Sequence, residues 1–279
     1  MDGITLLALP YDSGRFDERM GRGPLHLLKH GLAERLGAQN GPVEVVTVRL
    51  PEGFYSEGQA LVALQNLAVR SVRESLAQQR RGLVLSGNCG PAALSAVSAL
   101  NPRTTGVIWF DAHADFNTPD TSASGFLDGM ALSILTGRSW PALAARFIGF
   151  EPVPEENVIL VGAREFDSLE TAALGASVIR KIPATKMELI EEEVAALADR
   201  CENFYVHLDV DVLDEAEGRA NSYACGGGLS AAQLFSALEL LQQTGRIKVA
   251  GVTSYDPACD PNGSIRAIVE RAANLLVGS

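Results

Sequence analysis

The segment Gly106–Asp115, with the sequence GVIWFDAHAD, joins an apolar run directly to a polar cluster. Its first five residues show no alternation of polar and apolar side chains, which is typical of a strand covered on both faces in a parallel sheet. The polar cluster begins where that strand would end, and ligands of parallel α/β sheets bind at the carboxyl ends of the strands. This one segment therefore predicts a fold class and the position of a site.

Short apolar runs separated by helical stretches extend along the whole chain. The predicted strands are Ile4–Leu9, Val43–Val48, Gly82–Leu85, Gly106–Phe110, Val158–Val161, Ser177–Ile179, Phe204–Leu208 and Lys248–Val252. The predicted helices are Pro24–Leu36, Gly58–Gln79, Pro91–Leu100, Leu127–Leu135, Asp167–Gly175, Thr185–Asp199, Ser230–Gln243 and Gly263–Leu276. Capping boxes mark two helix starts, at Thr185 with Glu188 and at Ser230 with Gln233. This alternation predicts a single doubly wound α/β domain over residues 1–279, with a mostly parallel sheet of roughly eight strands.

A second acidic cluster, Asp209–Asp214 (DVDVLD), follows the apolar run Phe204–Leu208. Side chains two residues apart project to the same side of extended backbone, so each cluster presents its polar groups together. A divalent cation relieves the repulsion among such carboxylates, and mixed carboxylate and imidazole ligands suit Mn²⁺, Fe²⁺, Ni²⁺ or Zn²⁺ better than Ca²⁺ or Mg²⁺. Either cluster alone more often caps a helix or hydrates a loop, whereas the two together favour a metal site. The candidate ligands are Asp111, His113, Asp115, Asp209 and Asp211.

The composition argues against several classes of partner. The chain of 279 residues has 23 basic and 34 acidic side chains, a formal net charge of −11, which disfavours binding to nucleic acid or to an anionic membrane. No apolar run reaches the roughly 18 residues of a membrane span. The first residues lack the pattern of a signal peptide, so we expect a cytoplasmic protein. The four cysteines show no CxxC spacing and do not suggest a disulfide framework.

These motifs together resemble those of the arginase (ureohydrolase) superfamily. Asp111–Pro119 (DAHADFNTP) resembles the family signature DAHxD-x-NTP, and His207–Asp214 (HLDVDVLD) resembles the SxDxDxxDP motif. Gly226–Ser230 (GGGLS) is similar to the GGLS-type helix start, and Gly21–Pro24 (GRGP) to an early G-x-GP. The resemblance extends over essentially the whole chain.

The resemblance implies a binuclear divalent metal centre that hydrolyses C–N bonds of linear amidines. Manganese is the metal it favours, with zinc, iron or nickel as alternatives. Asp111 and Asp209 would bridge the two ions, His113 and Asp211 would complete one site, and Asp115 would complete the other. Two close cations lower the pKa of a shared water, which supplies hydroxide at neutral pH. The resemblance also implies a homo-oligomer that acts on a small, amino-acid-like substrate.

Three positions depart from the family pattern. Cys89 stands where GGDHS supplies a histidine ligand; its thiolate would suit Zn²⁺ or Fe²⁺ better than Mn²⁺, or it is only a small buried residue. Asp128 stands where SGNxHG supplies a proton-shuttling histidine; it is a weak acid–base group near neutral pH unless burial raises its pKa, or it caps a helix. Ser254 stands where the family has a glutamate that binds the guanidinium group of the substrate. The neutral hydroxyl of Ser254 cannot offset a buried guanidinium charge.

The positions that would hold the amino-acid end of a substrate agree with the family. Asn117 and Ser124 match the pair that binds this end, and Asp167 with Glu170 match the acidic pair, although such a pair also commonly starts a helix. A retained amino-acid end and an altered reacting end predict an α-amino acid with a less basic amidine, such as N-hydroxyarginine. The alternative is a non-catalytic binding protein that kept the fold and the amino-acid pocket.

Overall fold

The predicted sheet is present, and it is parallel throughout rather than mostly parallel. The computed structural model describes residues 3–278. Its strands are β1 (Ile4–Leu9), β2 (Tyr11–Asp12), β3 (Arg15–Phe16), β4 (Val43–Thr47), β5 (Arg81–Ser86), β6 (Thr105–Phe110), β7 (Val158–Val161), β8 (Arg180–Ile182), β9 (Asn203–Asp209) and β10 (Ile247–Thr253). Within the described residues, eight strands form one sheet in the order β4-β1-β5-β10-β9-β6-β7-β8, and β2 and β3 form a short antiparallel hairpin.

Helices cover both faces of the sheet, which confirms the doubly wound architecture. They are α1 (Gly23–Lys29), α2 (Leu32–Asn40), α3 (Glu57–Ala77), α4 (Cys89–Val97), α5 (Ala131–Leu135), α6 (Pro141–Ala144), α7 (Ser168–Gly175), α8 (Ile190–Ala198), α9 (Ala231–Gln243) and α10 (Ser264–Val277). Helices α1, α2, α8, α9 and α10 pack on one face, and α3, α4, α5 and α7 pack on the other.

The central strand β6 shows why the sequence lacks polar alternation. Ile108 and Phe110 pack into the core on one face of the sheet, while Val107 and Trp109 pack into the core on the other. All four side chains are fully buried. Because both faces are covered by helices, every position of the strand favours an apolar side chain.

The two middle strands of the sheet, β10 and β9, come late in the sequence, and this strand order creates the site. After β5 the chain skips two strand positions to form β6, and β9 and β10 fill the gap afterwards. The carboxyl ends of β5, β10, β9 and β6 therefore lie side by side at the point where the connections change direction. Such a topological switch point is where open α/β sheets bind ligands.

Some predicted boundaries are wrong for local reasons. The predicted helix Pro24–Leu36 is two helices, because Gly31 adopts a left-handed conformation (φ 82°) between α1 and α2. The predicted strand Ser177–Ile179 starts later, at Arg180, because the backbone N–H and the hydroxyl of Ser177 both bond the carbonyl of Leu174 at the end of α7. The predicted helix Leu127–Leu135 begins with a 3₁₀ turn and becomes α-helical only at α5.

One of the two predicted capping boxes is absent. Ser230 and Gln233 form the predicted box at the start of α9. In contrast, the segment Ala184–Leu189 is 3₁₀, with a non-helical Lys186, so α8 begins only at Ile190 and Thr185 caps nothing. A residue pattern that fits a box therefore needs a regular first turn to form one.

This difference between the two boxes gives a matched pair of variants. Ser230→Ala should lower the free energy of unfolding by about 1 kcal/mol, because the N–H of Gln233 loses its acceptor at a helix start. Thr185→Ala should change it by less than about 0.5 kcal/mol, because Thr185 is exposed and caps no helix. Urea unfolding of both variants measures the difference, and equal effects would contradict this assignment of the caps.

Candidate metal and substrate site

Four neighbouring strands each contribute a polar residue at their carboxyl ends. Cys89 starts α4 shortly after β5, Asp111 follows β6, Asp209 ends β9, and Ser254 follows β10. All four are buried. Cys89, Asp209 and Ser254 line a cavity of about 310 Å³, and Asp111 contacts His113 in its lining. The cavity is also lined by His113, Asp115, Asn117, Ser124, Asp128, Asp167, Glu170, Asp211, Asn221 and Tyr223.

Asp111 and Asp209, the two predicted bridging carboxylates, are held in the same way. In each, Oδ1 accepts the backbone N–H of the residue two positions later, at 2.7 Å from His113 and at 3.0 Å from Asp211. Oδ2 of Asp111 accepts Nε1–H of Trp109 at 3.0 Å, and Oδ2 of Asp209 accepts the hydroxyl of Ser254. Both carboxylates are therefore fixed before any ligand binds.

His113 lies between two of the predicted ligands. Its Nδ1 is 3.3 Å from Oδ1 of Asp111 and 3.5 Å from Oδ2 of Asp211, so the three residues could hold one ion together. Burial opposes protonation of this imidazole, but the hydrogen bond to Asp111 and the negative charges of Asp211 and Asp111 outweigh it and raise its pKa to about 9. A proton on His113 thus occupies the place that the prediction gives to a metal ion.

Asp115 provides the test of whether these residues fit a cation. Its side chain is 6% exposed, and within residues 3–278 its Oδ2 is buried without a hydrogen-bond partner. Burial, and then the charges of Asp111, Asp128 and Asp209, raise its pKa well above the ordinary value. A buried carboxylate oxygen that has no donor and faces other carboxylates is what a divalent cation would satisfy, so the residues fit the predicted metal.

Cys89 contacts the second predicted bridging residue. Its Sγ is 3.1 Å from Oδ2 of Asp209, 3.4 Å from Oγ1 of Thr253 and 3.6 Å from Oγ of Ser254. Burial and the surrounding carboxylates raise the pKa of the thiol well above its usual range, so without a cation the thiol donates to Asp209. Its Sγ also lies within 4.8 Å of ligand atoms of Asp111 and of His207, a residue that the sequence reasoning did not select.

Asp128 caps the start of α4. Its Oδ1 accepts the backbone N–H groups of Cys89 at 2.8 Å and Gly90 at 3.2 Å, and its Oδ2 accepts Nδ2–H of Asn88 at 2.8 Å. Burial raises the pKa of this carboxyl to about 7, although the bonds from Gly90 and Asn88 act in the opposite direction. Asp128 therefore has a capping role and also a pKa close to neutrality at the cavity wall.

The predicted amino-acid-binding residues lie together on another wall. Nδ2 of Asn117 donates to Oδ2 of Asp167 at 3.1 Å, and Asp167 and Glu170 form a capping box at the start of α7. Glu170 also accepts the backbone N–H of Phe116 at 2.8 Å, which ties α7 to the loop after β6. The hydroxyl of Ser124 accepts the backbone N–H of Phe126 at 3.1 Å. The helix-start arrangement of the acidic pair thus places both carboxylates at the cavity.

Arg164 connects the loops that carry the site, and nothing in the sequence marks it. Its guanidinium donates hydrogen bonds to backbone carbonyls after β7 and β9 and in the segment 225–226. The acceptors, at 2.8–3.4 Å, are Gly162, Asp211, Val212, Leu213, Cys225 and Gly226. One planar cation with five N–H donors can reach these six carbonyls if one N–H is shared between two of them, whereas lysine, with three donors, could not.

Two further cavity residues were missed for the same reason, that only the fold brings them there. Nδ2 of Asn221 donates to Oδ2 of Asp211 at 3.2 Å and to the carbonyl of Ser254 at 2.8 Å. The rings of Tyr223 and Phe126 stack with centroids 5.9 Å apart at the cavity wall. Asn221 and Tyr223 follow the acidic motif within a loop that has no periodicity, and nothing in the sequence marks them.

Comparison with known proteins identifies the family. The model of the family described as "Arginase family" matches residues 2–278. The chain belongs to the arginase family. The arginase of Staphylococcus aureus strain COL is 30% identical over 294 residues, which cover 98% of this chain and 95% of that protein. The chain is therefore an arginase-family hydrolase, which favours an enzyme over a non-catalytic binding protein.

Solved structures show the same fold. The crystal structure of arginase from Bacillus cereus superimposes with a TM-score of 0.91 at 24% identity. The match covers 100% of this chain and 99% of the Bacillus cereus chain. The formimidoylglutamase of Bacillus subtilis superimposes with a TM-score of 0.78 at 16% identity, over 100% of this chain and 87% of the formimidoylglutamase chain.

None of the helices within residues 3–278 combines the length and the apolar character that crossing a bilayer requires.

The buried acids predict an unusual pH dependence for the protein without metal. The folded-state pKa of Asp128 is raised from an ordinary 3.8 to about 7, so the stabilisation that its proton contributes is complete below the ordinary value and is lost as pH rises through about 7. Asp115 shifts in the same direction. His113 acts in the same sense, because its stabilising proton is lost only as pH rises through about 9.

In the presence of a chelator, the midpoint of thermal unfolding should therefore be higher at about pH 5 than at about pH 8. With Mn²⁺ in excess the trend should reverse, because an ion binds the deprotonated carboxylates. A midpoint that rises with pH in the chelated protein would contradict the assigned burial of these acids.

Proposed function

We propose that this protein is a metal-dependent hydrolase that cleaves the C–N bond of a weakly basic amidine carried by an α-amino acid, with an N-hydroxyguanidino group as the reacting end. The observation that carries the proposal is a contrast among the residues that line one cavity. Asn117, Asp167 and Glu170 suit the amino-acid end of a substrate, whereas the neutral hydroxyl of Ser254 would face its reacting end.

The amino-acid end supports a zwitterionic substrate. The carboxylates of Asp167 and Glu170 can receive an α-ammonium group, and the amide of Asn117 and the hydroxyl of Ser124 can donate to an α-carboxylate. The hydrogen bond between Asn117 and Asp167 keeps both groups on one wall. A substrate without either charge would leave part of this wall unpaired, which favours an amino acid over a simple amine.

The reacting end disfavours a guanidinium. Ser254 donates its hydroxyl to Asp209 and is 3% exposed, so it offers no charge to a cation bound there. Hydroxylation lowers the basicity of a guanidine, so an N-hydroxyguanidine can enter this end uncharged. The resulting hydrolysis adds water to the amidine carbon, breaks its bond to the side-chain nitrogen, and releases the amine with the bonding electron pair and a proton.

Two divalent ions would be held by the buried residues at the cavity base. His113 and Asp211 would complete one site, Cys89 and Asp115 the other, and Asp111 and Asp209 would bridge both. When bound, such a pair lowers the pKa of a shared water and stabilises charge that develops at the amidine carbon. The thiolate of Cys89 favours Zn²⁺ or Fe²⁺ at its site, while Mn²⁺ is the metal that the family resemblance favours.

Asp128 would manage the proton that the leaving amine takes up. Its pKa of about 7 suits a group that must accept and donate a proton near neutral pH. Its bonds to the start of α4 hold it at the cavity wall, so capping and proton transfer are compatible.

The family resemblance further supports a cytoplasmic homo-oligomer.

The test compares release of ornithine from N-hydroxyarginine and from arginine by the metal-loaded protein. We expect kcat/KM to favour N-hydroxyarginine by at least about a hundredfold, because a buried charge without its partner costs about 3–5 kcal/mol. Agmatine, guanidinobutyrate and formiminoglutamate, which lack one or more of the recognised groups, should be poorer substrates than N-hydroxyarginine.

Two variants at one position provide the control. Ser254→Glu should reduce the preference for N-hydroxyarginine by supplying a counter-charge, while Ser254→Ala should retain it. Comparable turnover of arginine by the wild type would contradict the assigned role of Ser254. Failure to hydrolyse any of the five compounds with metal bound would instead favour a binding protein that retained the pocket.

A further inference from the structure

A chain of buried hydrogen bonds lies behind Cys89, outside the substrate cavity. Oη of Tyr205 is 2.8 Å from Nδ1 of His207, and Nε2 of His207 is 3.3 Å from Oγ1 of Thr253. Oγ1 of Thr253 is 3.4 Å from Sγ of Cys89. Tyr205, His207 and Thr253 are 0% exposed, and none of the three lines the cavity.

The direction of this chain follows from its first member. Among residues 3–278, the hydroxyl of Tyr205 has one hydrogen-bond partner, Nδ1 of His207. A buried hydroxyl hydrogen needs an acceptor, so Tyr205 donates and Nδ1 accepts. A doubly protonated imidazole has no lone pair with which to accept at Nδ1, so His207 is neutral. A neutral imidazole that accepts at Nδ1 carries its hydrogen on Nε2, and His207 therefore donates to Thr253.

The hydroxyl of Thr253 accepts from His207 and donates to the sulfur of Cys89. Having accepted from His207, its hydroxyl has one hydrogen left to donate. Sγ of Cys89 lies at 3.4 Å, a good distance for the larger sulfur atom, whereas Oδ2 of Asp209 and the carbonyl of Leu208 lie at 3.5 Å, the outer limit for an oxygen acceptor. The chain thus ends with an O–H aimed at Cys89.

We propose that Tyr205, His207 and Thr253 form a positioning chain that donates a hydrogen bond to the sulfur of Cys89 and stabilises its thiolate as a metal ligand. The inference rests on the proposed function, in which Cys89 holds an ion. A thiolate beside Asp209, Asp111 and Asp115 is disfavoured by their negative charge, and a directed O–H donor offsets part of that cost without adding another charge. Partners that hydrogen-bond a ligand from behind commonly tune both affinity and electronic properties of a metal site.

The stack beneath the chain makes this arrangement rigid. The rings of His207 and Trp109 lie parallel, with centroids 3.7 Å apart and an interplanar angle of 16°. Nε1–H of Trp109 donates to Asp111, so one stacked pair supports Asp111 on one side and Cys89, through Thr253, on the other. Both contacts fix ligand atoms rather than the substrate.

A competing role for His207 is direct ligation. Its ring nitrogen lies within 4.8 Å of ligand atoms of Cys89 and Asp111, close enough for the three to share an ion. Ligation through Nε2 would require the hydrogen on Nδ1, and the hydroxyl of Tyr205 would then lose its acceptor inside the core. The hydrogen-bond arrangement favours the positioning role, and direct ligation is an outcome of the test below.

The experiment replaces the natural metal with Co²⁺, whose bond to a thiolate gives a charge-transfer band in the near ultraviolet. Thr253→Val removes the donor with little change in shape, and Thr253→Ser keeps it as the matched control. The valine variant should move the band to longer wavelength and weaken Co²⁺ binding by about 10–100-fold. The serine variant should match the wild type in both. His207→Phe keeps the stack on Trp109 and leaves the Thr253 hydroxyl without its own donor, so it should move the band in the same direction as the valine variant but by less.

The outcomes separate this inference from the proposed function. If neither Thr253→Val nor His207→Phe moves the wild-type band or changes the affinity for Co²⁺, the positioning chain is overturned and Cys89 remains a ligand. The absence of any thiolate band in the wild type overturns both the chain and the ligand role of Cys89, while hydrolysis of N-hydroxyarginine is tested separately. Two exchangeable, strongly shifted imidazole N–H signals in the proton spectrum of the Co²⁺ protein, rather than the one expected from His113, would show that His207 itself ligates.

Discussion

The structure depends on one electrostatic constraint, the gathering of buried carboxylates at the carboxyl ends of the adjacent strands β9 and β6. Asp111, Asp115 and Asp209 all have pKa values raised by burial, and Asp115 has a buried oxygen without a donor. A chain that only had to fold would gain by replacing such residues with apolar ones. Their retention in a close-packed sheet is understandable if a divalent cation completes the cluster, and the stability of the protein is then tied to metal and to pH.

The loops around this cluster are held by contacts that oppose the repulsion. Arg164 binds six backbone carbonyls, including that of Asp211, and Asn221 ties the side chain of Asp211 to the backbone of Ser254. Asp128 holds the start of α4, and with it Cys89, against the cavity wall. These bonds join residues that are distant in the sequence, and they fix the ligand positions while the acidic centre itself remains unbalanced.

The sequence predicted most of the fold, because the fold follows from local patterns, and the same patterns singled out candidate site residues. An apolar strand followed directly by alternating acids, as in Gly106–Asp115, predicts a covered strand and a polar group at its end. The structure confirms that strand, and most of the predicted ligands line one cavity, with Asp111 beside His113 in its lining. Their individual roles in binding metal or substrate remain predictions.

What the sequence could not predict depends on contacts between distant residues. His207 is an unremarkable strand residue until β10 places Thr253 beside it, and Arg164 is an ordinary loop cation until three loops turn their carbonyls toward it. The break between α1 and α2 depends on the left-handed backbone of Gly31, and the late start of β8 depends on the hydrogen bonds of Ser177 to the carbonyl of Leu174. The pattern of apolar residues indicates neither of them.

If the buried carboxylates form a binuclear metal centre, the protein binds two divalent ions per chain, and this number can be measured. The protein, dialysed separately against Mn²⁺ and Zn²⁺ and then freed of unbound ions, would be analysed for metal per chain. We expect two ions per chain with at least one of these metals, and one ion in Asp115→Asn, which removes a ligand that only one of the sites uses. Wild-type protein that retains no ion with either metal would show that these carboxylates do not form a metal centre.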